Sequence, residues 1–258
     1  MIVDMYERTF VAKLRDLSLR LPGPGPAVSL TVRNIDFPAW RALFSSMLLF
    51  GHSTGYRLPT FDEFYQYCRR AYTSEQPRMS EQYVEKVRGF RARFDGPDEP
   101  QIRERIRQWY ESGMAETYLY VCLVDAFEDK LREGVVVYDP RVDWKLKCDL
   151  VVRVREHTFG VNAFQGNETA RARVEAQRLV VEQDRKRNTP DSAQWNNLEL
   201  RRWTRLSISK TENDYQEING FHLFSPSAVN TLVDHICRHA GLDRRVRFPG
   251  ADVVPMEG

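Results

Sequence analysis

The chain has 258 residues, 42% of them hydrophobic and 29% charged, so it can bury one large core or two small ones and is too apolar to be disordered. Lys and Arg number 38 against 36 Asp and Glu, a net charge of +2, so any electrostatic case for nucleic acid must be local. The longest apolar run, 42–50, falls far short of the roughly 20 residues that a membrane helix needs.

Residues 4–20 place Met5, Phe10, Val11, Leu14 and Leu17 near one helical stripe. The Pro/Gly alternation at 21–26 ends that helix and makes a stiff linker. Val28 to Val32 reads as a short strand or extended chain. Asp36 and Pro38 open a helix to Phe50 that is apolar nearly all round. Thr60 opens another, with Phe61, Phe64, Tyr65, Cys68 and Tyr72 toward one side. Its mixture of Tyr and Arg could stack on single-stranded nucleic acid, but an amphipathic helix with a buried aromatic face is the simpler reading. Ser80 caps a helix over 81–94. The Asp95–Pro100 stretch is a stop, and the expected domain boundary. Residues 1–96 therefore read as a helical N-terminal domain.

Residues 102–131 predict a long helical stretch, either one helix or two divided or kinked at Gly113. Val135 to Tyr138 reads as a strand and Asp139-Pro140-Arg141 as a turn. The β-branched run 150–154, the polar break at 155–157 and the run 158–164 predict an antiparallel hairpin. Asp149 would stand at the mouth of the first strand and Asn162 well along the second. Oxygen ligands held there can bind a hard cation such as Mg2+. A helix is expected over 169–187, strands over 203–209 and 221–224, and a helix over 226–240 capped at Ser225-Pro226. The second domain thus spans 101–243, and 244–258 reads as a peripheral tail.

Cys68, Cys122, Cys148 and Cys237 are far apart, with no CxxC pair, which argues against zinc. No secretory signal is read, so a reducing cytoplasm is the expected setting. His235 and His239 have metal-ligand spacing on a helix, but no Glu lies between them as in the HExxH motif.

The order helix, three strands, helix, two strands, helix over 102–240, with Asp149 opening the second strand, resembles the PD-(D/E)xK, or restriction-endonuclease-like, nuclease fold. The resemblance implies an α+β architecture: an N-terminal helical domain followed by a mixed sheet flanked by helices. It puts Glu116 at the helix acid, Asp149 at the strand acid and Asn162 at the third-strand ligand. The family's lysine falls on Phe164, and Lys145, Lys147 or Arg171 could replace it in space. Glu116 and Asp149 would hold Mg2+, and a metal-activated water would cut a phosphodiester. Arg171, Arg173, Arg185, Lys186, Arg187, Arg201 and Arg202 would hold the phosphate backbone. The expected function is a nuclease-like protein acting on DNA, or on RNA, within a microbial DNA-processing or antiviral defence complex. The alternative is a catalytically inactive subunit that uses the same fold to bind nucleic acid or a protein partner.

Overall fold

The structure, a computed structural model, describes residues 7–33, 58–74, 81–138, 148–165, 203–210, 215–243 and 246–248. The architecture is α+β: helices, a mixed four-stranded sheet and a two-stranded sheet. The chain divides into two compact units. Unit one comprises Met1–Asp4, Val11–Ala115 and Ile218–Phe221; unit two comprises Met5–Phe10, Glu116–Glu217 and His222–Gly258.

Helix α1 (Glu7–Leu14), which belongs to unit two as far as Phe10 and to unit one from Val11, gives way to a 3-10 turn at Leu17–Leu19. The region expected to be extended instead holds a single helical turn, α2 (Leu30–Arg33). Ser29 supplies the reason: its hydroxyl accepts from Val32 N–H and its carbonyl from Arg33 N–H. The expected helix over 36–50 lies outside the described residues. Helix α3 (Phe61–Thr73) starts on a full capping box, in which Thr60 and Glu63 each bond the other's backbone N–H. Its aromatic side is buried: Phe61, Phe64, Tyr65 and Tyr72. Helix α4 (Glu81–Phe94) follows, and the Asp95–Pro100 turn, inside unit one, leads into α5 (Glu99–Val124), which belongs to unit one as far as Ala115 and to unit two from Glu116.

Tyr110 of α5 is the hub of this core. Its ring lies 5.7 Å from Phe61, 5.5 Å from Phe64 and 5.3 Å from Phe221, and its hydroxyl donates to Pro59 O at 2.6 Å. Such aromatic pairs add about 0.5–1.5 kcal/mol each beyond the area they bury.

Helix α5 runs unbroken through Gly113, which is buried. It continues as a π-helix, Asp125–Lys130, which ends before strand β1 (Gly134–Val137). In unit two, β1 pairs antiparallel with β2 (Leu150–Val154), and β2 antiparallel with β3 (His157–Gln165). Strand β4 (Thr204–Lys210) then joins β3 in parallel, giving the order β1-β2-β3-β4. A parallel neighbour needs a crossover of a dozen or more residues, and 166–203 provides that length. Leu150, Val151, Val152 and Val154 are all buried, so β2 is covered on both faces.

The hairpin turns on Arg155, whose φ is 53°. Arg155 ion-pairs with Glu133 and donates to Ala240 and Gly241 carbonyls, tying the turn to the end of the last helix. A strand not expected from the sequence, β5 (Tyr215–Ile218), pairs with β6 (Phe221–Phe224) through Asn219-Gly220, both at positive φ. Helix α6 (Pro226–His239) is capped by Ser225. Residues 246–248 belong to the stretch expected as a peripheral tail; Val246 and Phe248 are buried. No helix among the described residues is long and apolar enough to cross a membrane.

Candidate functional site

The candidate site is built where β2 begins. Leu150 pairs with Val161, so Asp149, one residue earlier, stands opposite Asn162 across the strand pair. Ala163 lies beyond the end of β2, and its N–H donates to Asp149 Oδ2 at 2.6 Å. The carboxylate thus extends the ladder where the backbone of β2 has ended. A charge-assisted bond of this length is among the stronger hydrogen bonds of a protein. On the other side of β3, Asn162 is in register with Ser207 of β4. Asn162 is 3% exposed, so its carboxamide belongs to the interior and not to an open cleft.

Two neighbours fix this corner. Cys148 is buried, and its Sγ lies 2.8 Å from the point that a Cβ on Gly160 would occupy. Any larger residue at 160 would force that thiol or the strand to shift. Gly160 is itself in register with Val151 and with Arg205 of β4, so the tight approach lies in the middle of the sheet.

Glu116 sits on α5 within unit two and is half-buried. Among the described residues, no group of three or more His, Cys, Asp and Glu is set to hold a metal ion. The divalent cation implied by the resemblance therefore meets a weak donor set. Asp149 already spends an oxygen on Ala163, Asn162 is buried, and position 164 carries Phe where the family has its Lys. Lys145, Lys147, Arg171, Arg173, Arg185, Lys186, Arg187, Arg201 and Arg202 lie outside the described residues.

A second polar cluster in unit two had no counterpart in the sequence reading. Glu7, Thr117, Asp125 and Gln216 are buried around the π-helix, near Tyr118 and Cys122. Lys130 Nζ neutralises Asp125 at 2.9 Å, five positions along the chain. Burial, with Glu7 nearby, pushes the Cys122 thiol well above its usual range. The Tyr118 hydroxyl is pushed up in the same way, first by burial and then by Cys122 and Glu7. Both groups are therefore neutral at any physiological pH. The sequence offered one signal here: Glu7 and Asp125 are acids on otherwise apolar helix faces.

The His235–His239 pair is held on α6 with ring centroids 4.3 Å apart, and His239 Nδ1 lies 3.0 Å from His235 O. Phe159 of β3 meets His239 edge-on at 6.4 Å. Burial, the neighbouring His239 and Arg238 hold His235 below the usual imidazole range.

In comparisons with known proteins, no family model matches the chain, and no curated protein and no solved structure matches it.

Proposed function

We propose that this chain is a DNA-binding protein with a restriction-endonuclease-like domain whose Asp149 corner serves the fold and not phosphodiester hydrolysis. The observation that carries the fold part is the sheet: a long helix, then three antiparallel strands, then β4 parallel to β3 after a crossover-length segment. Asp149 opening the second strand beside Asn162 of the third is the arrangement that the resemblance implies. What argues for a silent site is chemical. Hydrolysis needs a carboxylate set around a metal and a cation beside the scissile phosphate. Asp149 is committed to Ala163, and Phe164 supplies no cation.

DNA is the favoured ligand because of the Arg-rich sequence from Arg171 to Arg187, with Arg201, Arg202 and Arg205 beyond it. Arginine forks suit phosphate oxygens. The described cysteines are free thiols, which suits a reducing cytoplasm.

The test is binding and cleavage of labelled single- and double-stranded DNA and RNA across a salt series, with Mg2+ or Mn2+. The wild type is compared with Asp149→Ala and with Arg185→Ala/Lys186→Ala/Arg187→Ala. The expected result is DNA binding that falls steeply with salt, weakens in the triple variant and proceeds without cutting. Metal-dependent cutting lost in Asp149→Ala would overturn the silent site and establish a nuclease. Absence of both binding and cutting would overturn the DNA reading and leave a protein-interaction subunit.

A further inference from the structure

Helix α6 presents an acceptor–donor pair and a carboxylate one turn apart, at Asn230 and Asp234. Both are occupied by the segment Val246–Phe248. The Asn230 carboxamide reads the backbone of Phe248 in both directions. Its Oδ1 accepts from Phe248 N–H at 2.9 Å, and its Nδ2 donates to Phe248 O at 3.2 Å. Asp234 takes the Arg247 guanidinium with both oxygens, at 2.7 Å and 2.9 Å. Val246 and Phe248 are buried on either side of that exposed arginine. The Lys130 ammonium lies 4.7 Å from the centre of the Phe248 ring.

These are three separate kinds of recognition, two on one face of α6 and the third from Lys130 at the end of the π-helix. A two-way amide contact reads main chain, a carboxylate fork reads arginine, and an apolar seat under a cation reads an aromatic ring. None depends on the segment being joined to α6 through 243–245. The segment has no helix or strand of its own, so it is held there by these contacts.

We propose that this face of α6 is a peptide-recognition site, filled in cis by Val246-Arg247-Phe248, that a partner protein can enter with a segment of the same aliphatic–Arg–Phe chemistry. The occupant seen in the structure defines the partner's chemistry. The short connection gives the cis segment an effective concentration of roughly millimolar order. A free peptide therefore competes poorly until the cis segment is displaced. The site is independent of the Asp149 corner and of any nucleic-acid binding.

The test uses the full chain. In Arg247→Glu/Phe248→Asp the cis segment is evicted while Asn230, Asp234 and Lys130 are untouched. The probe is a fluorescein-labelled peptide with the sequence of residues 244–250, titrated by fluorescence anisotropy. The evicted variant is expected to bind it at least tenfold more tightly than wild type. Adding Asn230→Ala to that variant is expected to weaken binding at least tenfold. Asp234→Lys is expected to reverse the preference, toward a probe carrying Arg247→Glu. Equal, weak binding by wild type and a folded evicted variant would overturn the proposal. Should circular dichroism show the evicted variant unfolded, Asp234→Lys decides, and no preference for the Glu probe would overturn the proposal.

Discussion

Glu104 Oε2 lies 2.7 Å from the backbone nitrogen of Gly25 and accepts its hydrogen, across 79 positions of sequence. The same carboxylate takes a two-bond fork from Arg107 and one bond from Gln108. One buried acid on α5 therefore pins the proline-rich linker. The approach is close: a Cβ on Gly25 would stand 3.1 Å from that oxygen and press the carboxylate aside by a few tenths of an ångström.

Glu104→Ala is expected to destabilise the protein by about 3 kcal/mol, because it leaves Arg107 with a lost partner at a largely buried position. Urea unfolding at pH 7 checks this. The effect has a pH signature. Burial raises the Glu104 carboxyl, but bonds from Arg107, Gly25 and Gln108 outweigh it and hold the pKa below the ordinary 4.5. A lowered folded pKa means stability that is fully present above the unfolded value and lost as pH falls through the folded one. The gap between wild type and Glu104→Ala should therefore be constant from pH 7 to about 5 and narrow in stronger acid.

The hairpin at 150–165 was legible because its signals are local: a β-branched run, a short polar turn and a second run. The juxtaposition of Asp149 and Asn162 follows from that register alone. The capping box at Thr60 and Glu63 and the Ser225-Pro226 start are local too. What escaped was set by distant or very short-range partners. Val28 to Val32 has strand-like composition, yet Ser29 caps a turn there and Arg105 binds the Val32 carbonyl. Strand β5 is four residues long and half polar; Asn219-Gly220 was its one clear sign. The seat of Phe248 on Asn230 leaves no periodic trace, since it joins positions 18 apart. The commitment of Asp149 to the Ala163 backbone leaves none either, because an acid that closes a ladder and an acid that binds a metal look alike in sequence.

Gly160→Ala tests the tight passage under Cys148. The new methyl would meet Sγ at 2.8 Å in the middle of the sheet, and overpacking of this kind costs about 1–3 kcal/mol. Cys148→Ala removes that sulfur. The double variant Cys148→Ala/Gly160→Ala is expected to be more stable than Gly160→Ala alone. A double-mutant cycle on thermal midpoints measures the coupling. Simple additivity would show that the contact does not limit β3.

Glu128 guards the outer strand. Its Oε1 accepts from Val136 N–H at 2.7 Å, and the flanking Val135 and Val137 are exposed. An outer strand with exposed valines and an uncapped N–H is a template for pairing with another chain. Glu128→Ala is expected to cost about 2 kcal/mol and to promote concentration-dependent self-association. Glu128→Gln keeps an acceptor oxygen and should stay close to wild type. Light scattering during size-exclusion chromatography separates the two; equal behaviour of Ala and Gln would assign the effect to lost charge instead.

Asp149 separates a structural acid from a catalytic one by comparing two substitutions. Asp149→Asn keeps an oxygen able to accept from Ala163 N–H, whereas Asp149→Ala leaves that N–H without its acceptor. The Ala variant is therefore expected to be less stable by about 1–2 kcal/mol, and the Asn variant to lie near wild type. On the non-hydrolytic reading, DNA affinity measured on folded protein does not fall in either variant, because a carboxylate repels phosphate and its removal helps if it does anything. On the hydrolytic reading, both variants lose metal-dependent cutting together, whatever their stability, because neither carries the charge that a cation needs. Stability that tracks the hydrogen bond, with no cutting to lose, assigns Asp149 to the fold. Cutting that tracks the charge assigns it to catalysis.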